Sequence, residues 1–187
     1  MPDKSDRDVD FDIVSQALGG DLAAFGELVG RHQHRLVHFL RMMLSSGQDR
    51  ESAEDVAQET FMRAYRSLGQ FRGQSTFKTW LYQIGTNVAR THMSKRRDRR
   101  EEQEPDVSHR REMPSGENVE QRVIAHDQLR RAMATLPDDW REAVVLRDIE
   151  GLDYRDIAER LGIPMGTVES RIFRGRKRLK AALEDTR

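Results

Sequence analysis

The chain has 187 residues, room for one or two domains. Its 32 basic and 32 acidic side chains cancel, yet charged residues make up 34% of it against a globular norm of about 25%, and hydrophobic residues only 36%. Such a chain buries small helical cores and not one large one. The absence of cysteine excludes disulfides, thiolate-ligated zinc, iron–sulfur clusters and thiol catalysis. The opening MPDKSDRDVD is acidic and lacks the apolar stretch of a secretion signal. The longest charge-free run, Thr79–Ala89, has eleven residues and is too short to cross a membrane. These features predict a soluble intracellular protein without membrane insertion.

The neutral total hides a segregation of charge. Residues 1–60 carry 6 basic and 12 acidic side chains, 61–100 carry 10 and 1, 101–140 carry 5 and 10, and 141–187 carry 11 and 9. Within the last block, Pro164–Lys180 holds six basic residues against the single acid Glu169. Two basic patches on acidic ground suggest two contacts with a polyanion. Solvated helix faces would account for either patch alone.

Apolar spacing is helical nearly throughout, with no period-2 run, so an all-α fold is expected. Leu22, Phe25, Val29, Leu36, Phe39 and Met43 form a first stripe. A second helix follows, with Ser52 and Asp55 placed like a capping box and Val56, Ala57, Phe61, Ala64, Tyr65 and Leu68 as its apolar face. FRGQST (71–76) reads as a glycine-containing loop. Phe77, Trp80, Leu81, Ile84 and Val88 mark a third helix that runs into SKRRDRR. This outlines a first domain within residues 1–97, its helices beginning near residue 10. Residues 98–118 lose the period, are rich in charge and proline, and read as a flexible linker. A second helical domain, 119–187, opens with Val119, Val123, Leu129, Met133 and Leu136, and Pro137 fits the first turn of a helix bearing Trp140, Val144 and Ile149.

The most informative stretch is YRDIAERLGIPMGTVESRIFR (154–174). Asp153 is a good N-cap, Gly162 can adopt the left-handed conformation that ends a helix, and Pro164 prevents its continuation. A new helix begins near Met165–Thr167, with Val168, Ile172 and Leu179 inward. Ala158, Gly162 and Val168 supply a small residue at a helix crossing, a glycine in the turn and an apolar anchor beneath the second helix: the needs of a helix-turn-helix. The outward face of that second helix offers Glu169, Ser170, Arg171, Phe173 and Arg174, followed by Arg176, Lys177 and Arg178. Arginine can bond guanine edges or phosphates, phenylalanine can touch a thymine methyl, and lysine neutralises phosphate. A helical hairpin inside a bundle is the plainer reading of the same spacing, and the basic outward face favours DNA.

The first domain carries a different signal. Phe71, Phe77, Trp80 and Tyr82 lie close together in sequence, interleaved with Arg72 and Lys78 and followed by Asn87 and the Lys95–Arg97 run. Aromatic faces beside cations suit unstacked bases of a single strand. The same rings also suit a helical core, and Phe77 and Trp80 are expected to serve it at least in part.

In order and spacing these elements resemble the extracytoplasmic-function sigma factors of bacterial RNA polymerase, members of the sigma-70 superfamily, from about Phe25 to Leu183. AEDVAQETFMRAYRSLGQFRG (53–73) is similar to region 2.2 and the start of 2.3, STFKTWLYQIGTNVARTHMSKRR (75–97) to regions 2.3–2.4, and residues 136–180 to region 4. Nothing between them resembles the additional region 3 domain of the housekeeping factors. The resemblance implies two small helical domains, a region 2 bundle and a region 4 helix-turn-helix, on a flexible linker. It also implies a monomeric initiation factor that binds core RNA polymerase through the β′ clamp helices and the β flap. Such a factor directs polymerase to −35 and −10 promoter elements, promotes melting, and is held by an anti-sigma factor. Asp55, Gln58, Glu59 and Met62 match the face toward the clamp helices. Phe71, Ile84 and Asn87 match the pocket that captures a base flipped out of the −10 element, with Arg72, Gly73, Phe77 and Trp80 around it and Arg90, Lys95 and Arg96 toward the backbone. Glu169, Ser170, Arg171, Phe173 and Arg174 match the −35 reading face. Glu169 is acidic where the family more often has basic or polar residues; it would either accept from a cytosine amino group or repel phosphate. The implied location is the cytoplasm, at the nucleoid or held at the membrane by the anti-sigma factor.

Two other classes compete. His32, His34 and His38 place two histidines at i, i+4, a spacing that can share a metal, but without a carboxylate or cysteine at a motif position they read as surface residues. No phosphate loop or ordered nucleophile–base pair is present, so neither an enzyme, a cofactor nor a metal is expected. A helix-turn-helix repressor or activator that binds paired half-sites as a dimer would explain the second domain and leave the first without a task.

Overall fold

The computed structural model describes residues 4–44, 50–101 and 127–185, with side chains described over 10–44, 53–95 and 127–185. The described residues are helical and contain no strand. They fall into two compact units, Met1–Leu40 with Glu51–Asp98 and Arg41–Arg50 with Arg99–Arg187. The expected linker and the residues Val119 and Val123 lie largely or wholly outside the described residues.

In the first unit, α1 (Lys4–Leu18) precedes α2 (Leu22–Met43), α3 (Arg50–Ser67), a 3-10 turn at Leu68–Gln70 and α4 (Phe77–Glu101). Helix α1 lies outside the expected apolar stripes, because among its described side chains only Asp10, Ile13, Val14 and Ala17 are buried, within a charge-rich segment. It stops where Gly20 turns at φ +97 and the Asp21 carboxylate caps α2, accepting from the Ala23 N–H at 2.8 Å.

The core face of α2 differs from the expected stripe. Ala24, Leu28, Leu36, Phe39 and Leu40 are buried, whereas Leu22 is 68% exposed and Phe25 and Val29 are half-buried. His32 is also buried, at 7% exposed, which corrects its assignment to the surface; His34 and His38 are exposed. Helix α3 begins at Arg50, so Ser52 lies within its first turn and not at the cap. Thr60 and Thr86 are buried, each bonding a carbonyl one turn back, Val56 at 2.6 Å and Tyr82 at 2.8 Å, so neither leaves an unpaired hydroxyl. Gly85 marks a close crossing: a Cβ there would lie 3.3 Å from Leu36 and 3.5 Å from Thr60. Thr76 caps α4, its hydroxyl accepting from the Thr79 N–H at 3.1 Å.

In the second unit, α5 (127–134) leads to α6 (Asp138–Val144), which continues as a wide π turn over Val145–Ile149. Helices α7 (Tyr154–Leu161) and α8 (Met165–Glu184) complete it, α8 packing against both α6 and α7. Pro137 stands at the N-cap of α6 and not within its first turn. The helix-turn-helix forms as the sequence predicts. Asp153 accepts from the Asp156 N–H at 2.8 Å. Gly162 sits at φ +64, with Gly162 N–H donating to Glu159 and Ile163 N–H to Ala158, a Schellman closure. Val168 and Ile172 are buried on the inner face of α8.

Two features of this unit are invisible in the apolar pattern. Arg141 is 1% exposed and donates to the carbonyls of Met133 (3.0 Å) and Leu136 (2.8 Å) and to Asp138 (2.9 Å), so its charge is neutralised and its donors fasten the α5–α6 corner. Gly175, inside the basic run, is buried where α8 crosses α6: a Cβ there would stand 2.6 Å from a methyl of Val144.

Candidate nucleic-acid interface

Helix α8 buries one stripe and turns the next outward. Glu169, Phe173, Arg174, Arg176, Lys177 and Arg178 are exposed, and Ser170 and Arg171 half-buried. Phe173 is 71% exposed although large and apolar, so its ring is available to an outside surface. The cations are not equally available. Arg171 donates to the Asp139 carboxylate of α6 at 2.7 Å, and Arg176 is bidentate to Asp148, which holds its guanidinium still more firmly protonated through that hydrogen bond. The Arg174 guanidinium lies 6.0 Å above the Trp140 ring. Ser170 returns its hydroxyl to the Thr167 carbonyl at 2.9 Å, while Glu169, Lys177 and Arg178 are exposed to solvent. The face presents cations, one aromatic ring and one carboxylate on a helix rigidly seated at Val168, Ile172 and Gly175.

At the start of α4 the structure gathers three of the predicted rings. Phe71 lies 5.3 Å from Trp80 and 6.1 Å from Phe77, and Phe77 lies 5.9 Å from Trp80. Phe77 is 2% exposed, so it supports this cluster from beneath and has no face for a base, which corrects its expected place around the capture pocket and leaves it the core role. Tyr82 is buried too, its ring tilted against Phe39 with centroids 4.9 Å apart. Phe71, Trp80 and Ile84 are half-buried, and Asn87, a turn beyond Ile84 on the same helical side, is exposed. Gly73 turns the preceding loop at φ +66, and Arg72 points to solvent. Arg90 is half-buried and Lys95 exposed on the continuation of α4; the Arg96 side chain lies outside the described residues. A half-buried ring wall ending at an exposed amide can stack an unpaired base and hydrogen-bond its edge.

The third predicted set lies on the outer side of α3. Asp55, Gln58, Glu59 and Met62 are all exposed, Glu59 paired with Arg63 at 2.6 Å. The same side runs on into an open apolar groove lined by Leu22 and Phe25 of α2 and Phe61, Met62 and Tyr65 of α3, closed by Arg66. Tyr65 meets Phe25 edge-on at 5.0 Å and remains 47% exposed. Sequence reasoning assigned Leu22, Phe25 and Tyr65 to the core; they were legible as a surface only if α1 had been seen to occupy part of the core face.

Comparison with known proteins adds to this geometry. Residues 28–99 match the family model described as Sigma-70 region 2, and residues 126–179 the one described as Sigma-70, region 4. The chain is 37% identical to the RNA polymerase sigma-H factor of Pseudomonas aeruginosa, over 95% of both chains. It is 36% identical to the ECF RNA polymerase sigma-E factor of Escherichia coli K12, over 88% of this chain and 89% of the relative. Among solved structures it is similar to CnrH in complex with the cytosolic domain of CnrY, with TM-score 0.63 and 28% identity over 94% of this chain and 97% of that one. It is also similar to the sigma factor RpoE in complex with the anti-sigma factor NepR from Bartonella quintana, with TM-score 0.62 and 26% identity over 86% and 99%.

Proposed function

Because this chain belongs to the extracytoplasmic-function sigma factors of the sigma-70 family, we propose that its two units divide promoter recognition between them. It is an alternative sigma factor that brings core RNA polymerase to promoter DNA under the control of an anti-sigma factor. In our reading residues 1–97 dock on polymerase and open the −10 element, 98–118 are the linker, and 119–187 read the −35 duplex. Asp55, Gln58, Glu59 and Met62 face the clamp helices of β′, and the adjoining groove at Phe25 and Tyr65 takes apolar side chains of the same surface.

Opening needs no ATP. Extruding a base costs a few kcal/mol of stacking and pairing, offset when the base enters a pocket built to receive it. Phe71 and Trp80 supply the stacking surface, Ile84 the floor and Asn87 the edge contact, while Lys95 and its neighbours hold the backbone. On the −35 side, Arg171, Phe173 and Arg174 meet base edges, and Arg176, Lys177 and Arg178 meet phosphates. The protein performs no reaction of its own in this scheme. It works in the cytoplasm, or at the membrane through its anti-sigma partner; none of its described helices is long and apolar enough to cross a membrane.

The observation that carries this reading is the presence, in one chain, of a ring wall ending at an exposed asparagine and a helix-turn-helix with an exposed basic face. Reconstituted transcription tests it: core polymerase with and without the full chain on fragmented genomic DNA, mapping RNA 5′ ends. New starts sharing two upstream elements are expected. Absence of new starts, while the same core responds to another sigma factor, would overturn the reading.

A further inference from the structure

Helix α1 lies outside the stretch that matches the region 2 model, yet its side chains reach the parts assigned to −10 opening. The Asp10 carboxylate is 5% exposed and bridges two residues of α2, accepting from Arg31 Nε at 3.0 Å and meeting His32 Nε2 at 2.8 Å. The His32 ring in turn lies against Phe77, centroid to centroid 5.5 Å, and Phe77 underlies both Phe71 and Trp80. One residue on, Phe11 covers the turn itself: its Cε2 would be 3.1 Å from a Cβ at Gly73. The same helix packs on the 3-10 turn that leads into Phe71.

Phe11 is 54% exposed, so its place on Gly73 is not explained by burial in the core. A buried carboxylate is also costly unless it is paired and hydrogen-bonded, and Asp10 meets that condition through two side chains of α2, which it thereby fixes. A Cβ at position 73 would crowd Phe11 and strain a left-handed backbone, so the turn accommodates the ring only as glycine.

We propose that α1 is a positioning brace for base capture: Asp10 fixes His32 beneath Phe77, and Phe11 holds the Gly73 turn, so that the Phe71–Trp80 wall stands preformed before DNA arrives. The inference rests on the −10 reading of that wall. Its physical content is preorganisation. A wall already in place meets the flipped base without ordering cost, whereas a loose turn must be ordered at the moment of opening. Asp10, His32 and Phe11 touch no DNA in this arrangement and act through Phe77 and Gly73.

The test uses the full chain with core polymerase on one promoter from the mapped starts, prepared as duplex and with the −10 segment already unpaired. Phe11→Ala is the main variant, since an exposed ring can be removed without opening the core; Asp10→Ala is the second, measured well below its melting temperature. Both are expected to slow opening of the duplex about tenfold while use of the unpaired template changes less than about twofold, with core affinity unchanged. Phe11→Leu, which keeps an apolar cover on Gly73, should restore most of the rate. Asn87→Ala separates the two levels, because it should show the same duplex-selective loss through direct contact. Phe11→Ala opening the duplex at the parental rate, beside an Asn87→Ala defect, would overturn the brace alone. Equal losses on both templates for Asn87→Ala would overturn the pocket and the brace together.

Discussion

Under the proposed division of promoter recognition, the two units would meet nucleic acid with opposite materials. The proposed opening surface of the first is a wall of rings, Phe71 and Trp80 backed by buried Phe77, with its polar contact left to one amide, Asn87. The proposed reading surface of the second is a row of cations on α8, two of them already held by carboxylates of α6 and the turn that follows it. The difference follows from the form of DNA each would face. An unpaired base offers an apolar face that must be taken out of water, so the receiving surface is built from core-like packing. A duplex offers phosphates and groove edges that stay hydrated, so the receiving surface is exposed charge on a rigid rod.

The largest effects should come from what makes that rod rigid. Arg141→Leu removes the donors from the buried carbonyls of Met133 and Leu136. At about 1–3 kcal/mol for each of these two unpaired buried groups, the second unit should lose about 2–6 kcal/mol. A lowered, separate thermal transition, with polymerase affinity of the first unit retained, is the expected result. Gly175→Ala comes next. With Val144 only 2.6 Å from the new methyl, overpacking should cost about 1–3 kcal/mol and displace α8 from α6. Denaturant melting of the variant checks it, and an unchanged midpoint would show that this crossing can give way.

These two positions also mark where sequence reasoning stopped. The turn of the helix-turn-helix was legible because each of its parts is local: an aspartate cap, a left-handed glycine and a proline act within a few residues of themselves. The helical period of α3 and α4 was legible for the same reason, and Val56, Ala64, Leu81 and Val88 are buried where it predicts. What remained hidden depends on distant partners. Gly175 reads as a spacer among arginines until Val144 is placed against it, and Arg141 reads as one more surface charge in WREAV. Asp10 and His32 are 22 residues apart, and neither advertises a buried partner. Missing α1 in turn misassigned α2, since Leu22 and Phe25 fit a core stripe as well as Ala24 and Leu28 do until another helix takes one side.

The reading surfaces should respond more selectively. Arg171→Ala is expected to cost about 1–3 kcal/mol of discrimination between promoter sequences at the −35 element, with core binding intact. Competition binding against substituted −35 duplexes measures it, and a uniform loss across sequences would make Arg171 a phosphate contact instead. In the first unit the handle is acid. Burial holds His32 below its ordinary value of 6.5 despite the opposing pull of Asp10, with Arg31 and Arg35 adding to the depression. The geometry agrees: with Nε2 on Asp10, a second proton must go to Nδ1, which is buried without a partner. A histidine depressed by folding binds more protons when unfolded, so its contribution is complete above pH 6.5 and is lost as pH falls through the lower folded value. The melting temperature of the first transition should fall below pH 6.5, and His32→Gln should flatten that slope.

The smallest effect is the most informative about the paired cations. The Arg176–Asp148 contact is half exposed, with side chains 49% and 37% accessible, so it contributes about 0–1 kcal/mol to stability. Its consequence for DNA is larger, because Asp148 cancels a cation that the duplex would otherwise use and places a negative charge near the phosphates. Asp148→Asn should therefore leave the melting temperature nearly unchanged, tighten binding to random-sequence duplex, and steepen the dependence of log K on log salt by up to about one. If Asp148 instead serves to aim Arg176, the same substitution weakens binding and makes the salt slope shallower. The sign of that change decides whether the carboxylates facing α8 restrain non-specific binding or prepare the reading face.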